Sequence, residues 1–122
     1  MSTTWTPEDL AAIDGDGELR VAAHRPDGTL RTSRIVWHVV VDDALFIRSV
    51  RGQDGAWYRG VQRTGTGAID SGGVSAEVTF TPDDAHDAAI DRAYHAKYGD
   101  GSAVRSITSP AATATTLRVD RR

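Results

Sequence analysis

The stretch "RSVRGQDGAWYRGVQR", residues 48–63, joins a strand to a helix and decides how the rest of the chain is read. Before it lies the apolar "ALFI"; within it, Trp57 and Val61 stand four residues apart, as do Arg59 and Arg63. On a helix that spacing makes an apolar stripe and a basic stripe. The predicted helix is capped by Asp54, and its first turn offers unpaired N–H groups and the positive end of the dipole. Such an end is an anion site wherever side chains leave it open, and Asp54 as cap would satisfy one donor and repel an anion. Two readings follow. Either a Trp is buried and the arginines are solvated, or an anion and a flat ring are held here.

The bounds are set by length and composition. The 122 residues make one domain, 1–122, with an N-terminal helix and loop over 1–17 and a core over 18–122. Hydrophobic residues are 39% and charged residues 25%, ordinary for a globular chain, and the net charge of −3 excludes a general nucleic-acid binder. With no cysteine, disulfides, thiolate catalysis and Cys-ligated zinc are excluded. No apolar run suits membrane insertion, and "MSTTWTPEDL" lacks the basic and apolar regions of a signal peptide, so the expected location is cytoplasmic. All basic residues but Lys97 are Arg, a bias that fits the Ala, Gly and Asp richness of the chain. Only clustering of arginines counts as a signal.

Working outward, "TPEDLAAI" reads as a helix start, with Thr6 as cap, Pro7 in the first position and acids in the first turn; "DGDGE" stops it. That acidic run is not a calcium loop, because Leu19 stands where the turn glycine belongs. "ELRVAAHR" and "TSRIVWHVVV" flank "PDGT", a hairpin signal, and Asp42-Asp43 turn the chain into "ALFIRSV", giving an antiparallel meander. Ile35, Trp37, Val39 and Val41 alternate with Val36, His38 and Val40, so that strand is expected to be covered on both faces. A second hairpin turns at Gly72-Gly73, with Val74, Ala76, Val78 and Phe80 alternating. "TPDDAHDAAIDRAYHAKYG" predicts a helix capped by Thr81, with Pro82 first, a stripe of Ile90, Tyr94 and Tyr98, Lys97 in the last turn and Gly99 as stop. "GDGSAVRSITSPAA" is polar and irregular, and "TATTLRVDR" is a last strand. The expectation is an α+β fold: a small antiparallel barrel of six strands with two to three helices.

Most enzyme chemistries find no support. The four histidines have no metal-ligand spacing; His24 and His38 lie on strands expected to be neighbours and could meet, while His86 and His95 read as solvated. There is no nucleophile elbow, and "GTGAIDSGG" leads into a strand, so it is a turn and not a phosphate loop.

The order of the pieces resembles that of the split-barrel flavin- and deazaflavin-dependent oxidoreductases, in particular the deazaflavin-dependent nitroreductase branch. It is closest to a small bacterial family related to them whose function is uncharacterised. The matching pieces, from about Leu19 to Arg121, are "HRPDGTLR", "RIVWHVVV", "ALFIRSVRG", "GAWYRGV", "AIDSGGVSAEVTF", "AIDRAYHAKYG" and "TTLRVDR". The resemblance implies a six-stranded split barrel of the FMN-binding type, a homodimer, and a groove beside the barrel that holds an 8-hydroxy-5-deazaflavin type cofactor or FMN. Carried over by position, Arg25 and Arg31 of the hairpin tip meet the cofactor phosphate. Arg48, Ser49, Val50, Arg51 and Gly52 border the ring, and Ala56, Trp57 and Tyr58 close the pocket. Departures are plain: the hairpin tip has Asp27 where that branch carries a basic Gly-Arg-Lys-Ser-Gly, the bend is shorter, and Gly60 replaces an Asn after the Trp-Tyr pair.

Two functions are therefore expected from different classes. One is a reductase that passes hydride to a small organic acceptor, with Tyr58 or His38 supplying a proton. The other is a non-catalytic small-molecule binder or dimeric accessory protein that keeps the barrel without a cofactor.

Overall fold

The computed structural model describes residues 5–122. Its α+β architecture is a nearly closed antiparallel barrel, with the helices of Ile13 and Val61 packed on its interior residues and those of Ile90 and Val104 on the opposite face of the sheet. The first helix, α1 (Pro7–Gly15), starts as expected: the Thr6 hydroxyl accepts from the Asp9 amide at 3.1 Å with Pro7 in the first turn. Leu10 and Ile13 of α1 and the preceding Trp5 plug the barrel, and the Trp5 indole donates to the Val119 carbonyl at 2.9 Å.

Seven strands form the sheet among the described residues, where the sequence reading expects six. They are β1 (Leu19–Ala23), β2 (Arg34–Val36), β3 (His38–Val41), β4 (Ala44–Ile47), β5 (Thr66–Ser71), β6 (Val74–Pro82) and β7 (Leu117–Arg121). The extra strand arises because the expected strand "RIVWHVVV" breaks at Trp37. Its first half pairs with β1 and its second with β4, so the sheet order is β2-β1-β5-β6-β7-β4-β3. The chain thus passes from one edge of the sheet to the other at Trp37, and this bend is what nearly closes the barrel. Asp42 and Asp43, both at positive φ, make the tight turn between β3 and β4. Gly72 and Gly73 do the same between β5 and β6.

The two-sided covering expected for "RIVWHVVV" holds for its second half, β3, but not for β2, where Ile35 is 47% exposed, and the two halves form the edges of the sheet rather than a central strand. Val36, Leu45, Ile47, Val61, Val78 and Val119 fill the barrel, while Val39 and Phe46 on the opposite face pack under Ile90 and Tyr94. Each fully buried side chain of this size stabilises the fold by about 1.5–3 kcal/mol. Ile90 and Tyr94 belong to α3 (Asp87–Tyr98), whose start differs from expectation. Thr81 and Pro82 do not cap it. They extend β6, where Pro82 pairs with Leu117 at the strand end, a place that needs no amide donor. The Asp83 carboxylate then turns the chain by accepting from the Ala85 amide at 3.0 Å. The alternation that buries Val78 and Phe80 runs two residues further than the cap signal allows.

Five α-helices are present among the described residues, against two to three expected. The polar segment expected to be irregular folds into two short ones, α4 (Ser102–Ile107) and α5 (Pro110–Thr113). In α5, Ser109 caps the Ala112 amide and Pro110 opens the helix; in α4, Val104 and Ile107 are buried. The remaining helix, α2 (Ala56–Thr64), ends at Gly65 in the left-handed conformation.

Candidate functional site

The junction at residues 48–57 is built by α5 from behind. The Ser49 amide donates to the Thr115 hydroxyl at 2.9 Å, and that hydroxyl donates to the Ala112 carbonyl at 2.6 Å. Gly52, at φ +63, sits against Ala111 and starts a 3₁₀ turn, Gly52–Asp54. This turn changes the helix start. Asp54 does not cap α2; it is exposed and lies 3.4 Å from Arg59. The cap position falls to Gly55, which makes no side-chain cap bond. A side chain at 55 has no room, since a Cβ there would run into the Ser49 hydroxyl.

The consequence is an open helix end. The amides of Ala56, Trp57 and Tyr58 find no acceptor among the described residues. Beside them Ser49 is fully buried, and its Oγ has no hydrogen-bond partner among the described residues.

This helix end is one wall of a groove of about 570 Å³. The bend supplies Arg48, Ser49, Val50 and Arg51, and the helix start supplies Gly55, Ala56 and Trp57. Facing them are Arg34, Ile35, Val36 and Trp37 of β2 and its break, with Ala103 and Ile107 of α4 as a third side. Trp37 is fixed by stacking on Tyr98, ring centroids 4.1 Å apart and planes 8° apart. Trp57 meets Tyr58 edge-on at 6.0 Å. Among the described residues no carboxylate lines the groove, although the chain carries 17 acidic residues.

The three groove arginines are not equivalent. The Arg48 guanidinium is fully buried. It bonds Asp91 at 2.5 Å and Thr116 at 2.8 Å, donates to the Ile107 and Asp87 carbonyls, and lies 5.7 Å from the Tyr94 ring. Burial pushes the Tyr94 phenol upward, with Arg48 opposing. Burial likewise raises the Asp87 carboxyl, opposed by Arg48. Arg48 is therefore neutralised within the fold. Arg34 and Arg51 are exposed, and no ion pair engages them among the described residues.

The other residues implied by the resemblance lie elsewhere. Gly52 is buried behind the bend and Tyr58 in the barrel core; neither lines the groove. Arg25 folds back on its own hairpin, donating to the Leu30 carbonyl at 2.7 Å. Arg31 lays its stem against Gly60 of α2, with its Nε buried and unpartnered.

His38 and His24 do not meet. His24 lies between Thr66 and Glu77. His38 is on the other face of the strand from Trp37, under the end of α1. Its Nε2 is 2.6 Å from the Ile13 carbonyl, so that nitrogen carries the proton, and Lys97 Nζ is 3.2 Å away. Burial holds the His38 ring below the usual imidazole range, and Lys97 adds to that effect. No group of three or more His, Asp or Glu among the described residues could hold a metal ion. No helix among them is long and apolar enough to cross a membrane.

Sequence reasoning missed Arg34, Ile35, Trp37, Ala103 and Ile107 as groove residues. The signal for the first three was the two-faced apolar strand. The last two sit in the helix read as irregular.

No curated protein matches the chain. Among solved structures, the heme storage protein HutZ of Vibrio cholerae superposes with a TM-score of 0.64 at 10% identity, over 97% of this chain and 88% of that one. The conserved hypothetical protein Rv2991 of Mycobacterium tuberculosis gives 0.62 at 12% identity, over 100% and 83%. A protein described as an F420 reductase gives 0.54 at 19% identity, over 91% and 90%. At these identities the likeness is one of fold, and it fits the barrel found here. A family model described as an uncharacterized protein conserved in bacteria matches residues 9–119, and the chain belongs to that family, DUF2255.

Proposed function

We propose that this protein is a flavin- or deazaflavin-dependent oxidoreductase-like protein that passes hydride to a small organic acceptor. The observation carrying the reading is the groove itself: about 570 Å³, walled by two tryptophans, with exposed arginines at its polar side and, among the described residues, no carboxylate. Volumes of this order take a drug-sized ring system. The residues present fit such a group: Trp37 and Trp57 offer flat apolar surface, while Arg34 and Arg51 suit its anionic portions. A fold neighbour described as an F420 reductase is consistent with this reading.

A bound flavin or deazaflavin would supply the hydride. The chain's part is to orient and to shield. Ile35, Val50 and Ile107 limit water on the apolar side. Tyr58 is buried in the barrel core beside Trp57 and does not line the groove, so the proton role proposed for it is indirect, and Tyr58→Phe is its test: unchanged turnover removes the role. His38, behind Trp37, is the weaker candidate, because burial keeps its ring neutral. Arg25 and Arg31, on the hairpin beside α2, are proposed to meet a phosphate-bearing tail that extends past the groove.

The expected homodimer also belongs to this proposal. Ile35 and Val50, 47% and 56% exposed, are large apolar side chains at the groove, and a second copy would cover whatever part of them a bound ligand leaves exposed. The deciding experiment is titration with FMN and with oxidised and reduced deazaflavin, read by tryptophan fluorescence. Saturable quenching that Arg51→Ala weakens is expected. Absence of quenching with every cofactor overturns the reading in favour of a cofactor-free binder.

A further inference from the structure

We infer that the start of α2 is an oxyanion subsite, and that the groove takes an organic acid whose carboxylate or phosphate is held there while its apolar body lies on Trp57 and Ile35. This goes beyond the redox reading and stands without it.

Three independent observations converge. The helix has nine residues, and its first three amides have no acceptor among the described residues. The acid that the local sequence offers as a cap, Asp54, is carried out to the surface by the 3₁₀ turn, so no fixed carboxylate competes for the amides. Against that helix end lies the Ser49 hydroxyl, in a residue 0% exposed, with no hydrogen-bond partner among the described residues. A buried hydroxyl left unbonded is costly, and an oxyanion at the amides is the acceptor it lacks. Gly55 is the residue that brings Ser49 and the helix end together, because a Cβ there would push the hydroxyl aside.

The surroundings fix the sign and the body of the ligand. Arg51 flanks the helix end and Arg34 faces it, while the third groove arginine is already paired inside the fold. With no carboxylate in the wall among the described residues, the local potential is positive in a chain of net charge −3. The rest of the wall is apolar or aromatic, so a bare inorganic anion would leave most of the groove unfilled.

The test is titration of the ¹⁵N-labelled protein with benzoate and, separately, with inorganic phosphate, followed by amide shifts. Saturable shifts centred on Trp57 and Tyr58 are expected. Ala56→Pro removes one amide donor at a position where Pro is compatible with the helix and with the extended Gly55 before it. It should weaken binding about tenfold, and Ser49→Ala several-fold. Benzoate binding alone assigns a carboxylate ligand, and phosphate binding alone a phosphorylated one. Shifts with neither probe, or equal binding by Ala56→Pro, overturn the inference. A positive result here with no cofactor quenching would remove the redox reading and leave the oxyanion subsite standing.

Discussion

Replacing Asp91 by Ala tests whether Arg48 is a structural residue of the fold and not a free cation of the groove. The guanidinium is fully buried, and Asp91 is its closest carboxylate. Arg cannot shed its charge, so the variant leaves a buried cation with Asp87 at 3.8 Å and two carbonyls. Breaking a buried pair costs about 3–5 kcal/mol, and because Asp91 itself is 38% exposed the lower end applies, about 3 kcal/mol. Arg48→Met keeps the stem and removes the charge. It takes a donor from the Ile107 and Asp87 carbonyls and from the Thr116 hydroxyl, which keeps its own bond to the Thr113 carbonyl, for a loss of about 2 kcal/mol. In Arg48→Met the released Asp91 hydrates, so removing it as well adds little, and the double variant should lose about 2 kcal/mol, against about 5 for independent sites. Urea unfolding followed by tryptophan fluorescence gives all three values, with a fall in Tm of order 10 °C for Asp91→Ala. Additive losses, or a loss below about 0.5 kcal/mol for Asp91→Ala, would refute the buried pair.

The Gly55→Ala variant should lose about 1–3 kcal/mol, since its Cβ meets the Ser49 hydroxyl, and adding Ser49→Ala should restore most of it; calorimetry of the two proteins decides. For His38 the sign is set by burial: its folded pKa lies below the unfolded value of 6.5, so the unfolded chain binds the proton first and stability falls as pH drops below about 6.5. His38→Gln should flatten that slope in urea titrations between pH 5 and about 7, and an unchanged slope would assign it to other groups. Asp43→Gly should raise stability by about 0.5 kcal/mol in the same assay, because Asp43 holds φ +61 in a turn that favours Gly there.

Much of the fold was legible because its signals are periodic. The six expected strand segments are all present, and the alternation of Val78 with Phe80 and of Val36 with Val40 tells which residues point inward. What failed were features decided by a contact far away in sequence. Trp37 breaks its strand because the two halves must pair with different neighbours, β1 and β4, which no local pattern states. Asp54 looks like a cap, but Gly52 against Ala111 tightens the chain into a 3₁₀ turn one residue too early. The segment 99–112 reads as polar loop because α4 and α5 are too short to show a stripe. Of the groove lining, residues 48–51, Ala56 and Trp57 were among those the sequence offered, Gly52 and Tyr58 fall outside it, and Arg48 turned out to be engaged by Asp91, which lies 43 residues away. The β2 and α4 walls could not be seen without the closed barrel.

The groove side of α2 is where the local rules of stability are set aside. A Ser or Asp at the cap position accepts from a first-turn amide, yet here Gly, which costs about a few tenths of a kcal/mol and offers no acceptor, occupies it. A buried hydroxyl normally finds a partner, yet Ser49 has none among the described residues, while its own backbone amide is firmly held by Thr115. Large apolar side chains normally avoid water, yet Ile35 and Val50 are exposed at the same groove. Any one of these departures would be unremarked on a marginally stable surface. Together at one junction, and braced from behind by α5 and the Arg48 pair, they describe a wall kept rigid while its donors are left unsatisfied. Sequences in which every level agrees give the most stable fold, so a concentrated disagreement of this kind marks where a ligand completes the structure. The missing acceptor is an oxyanion and the missing cover is apolar. An organic acid bound in the groove supplies both at once.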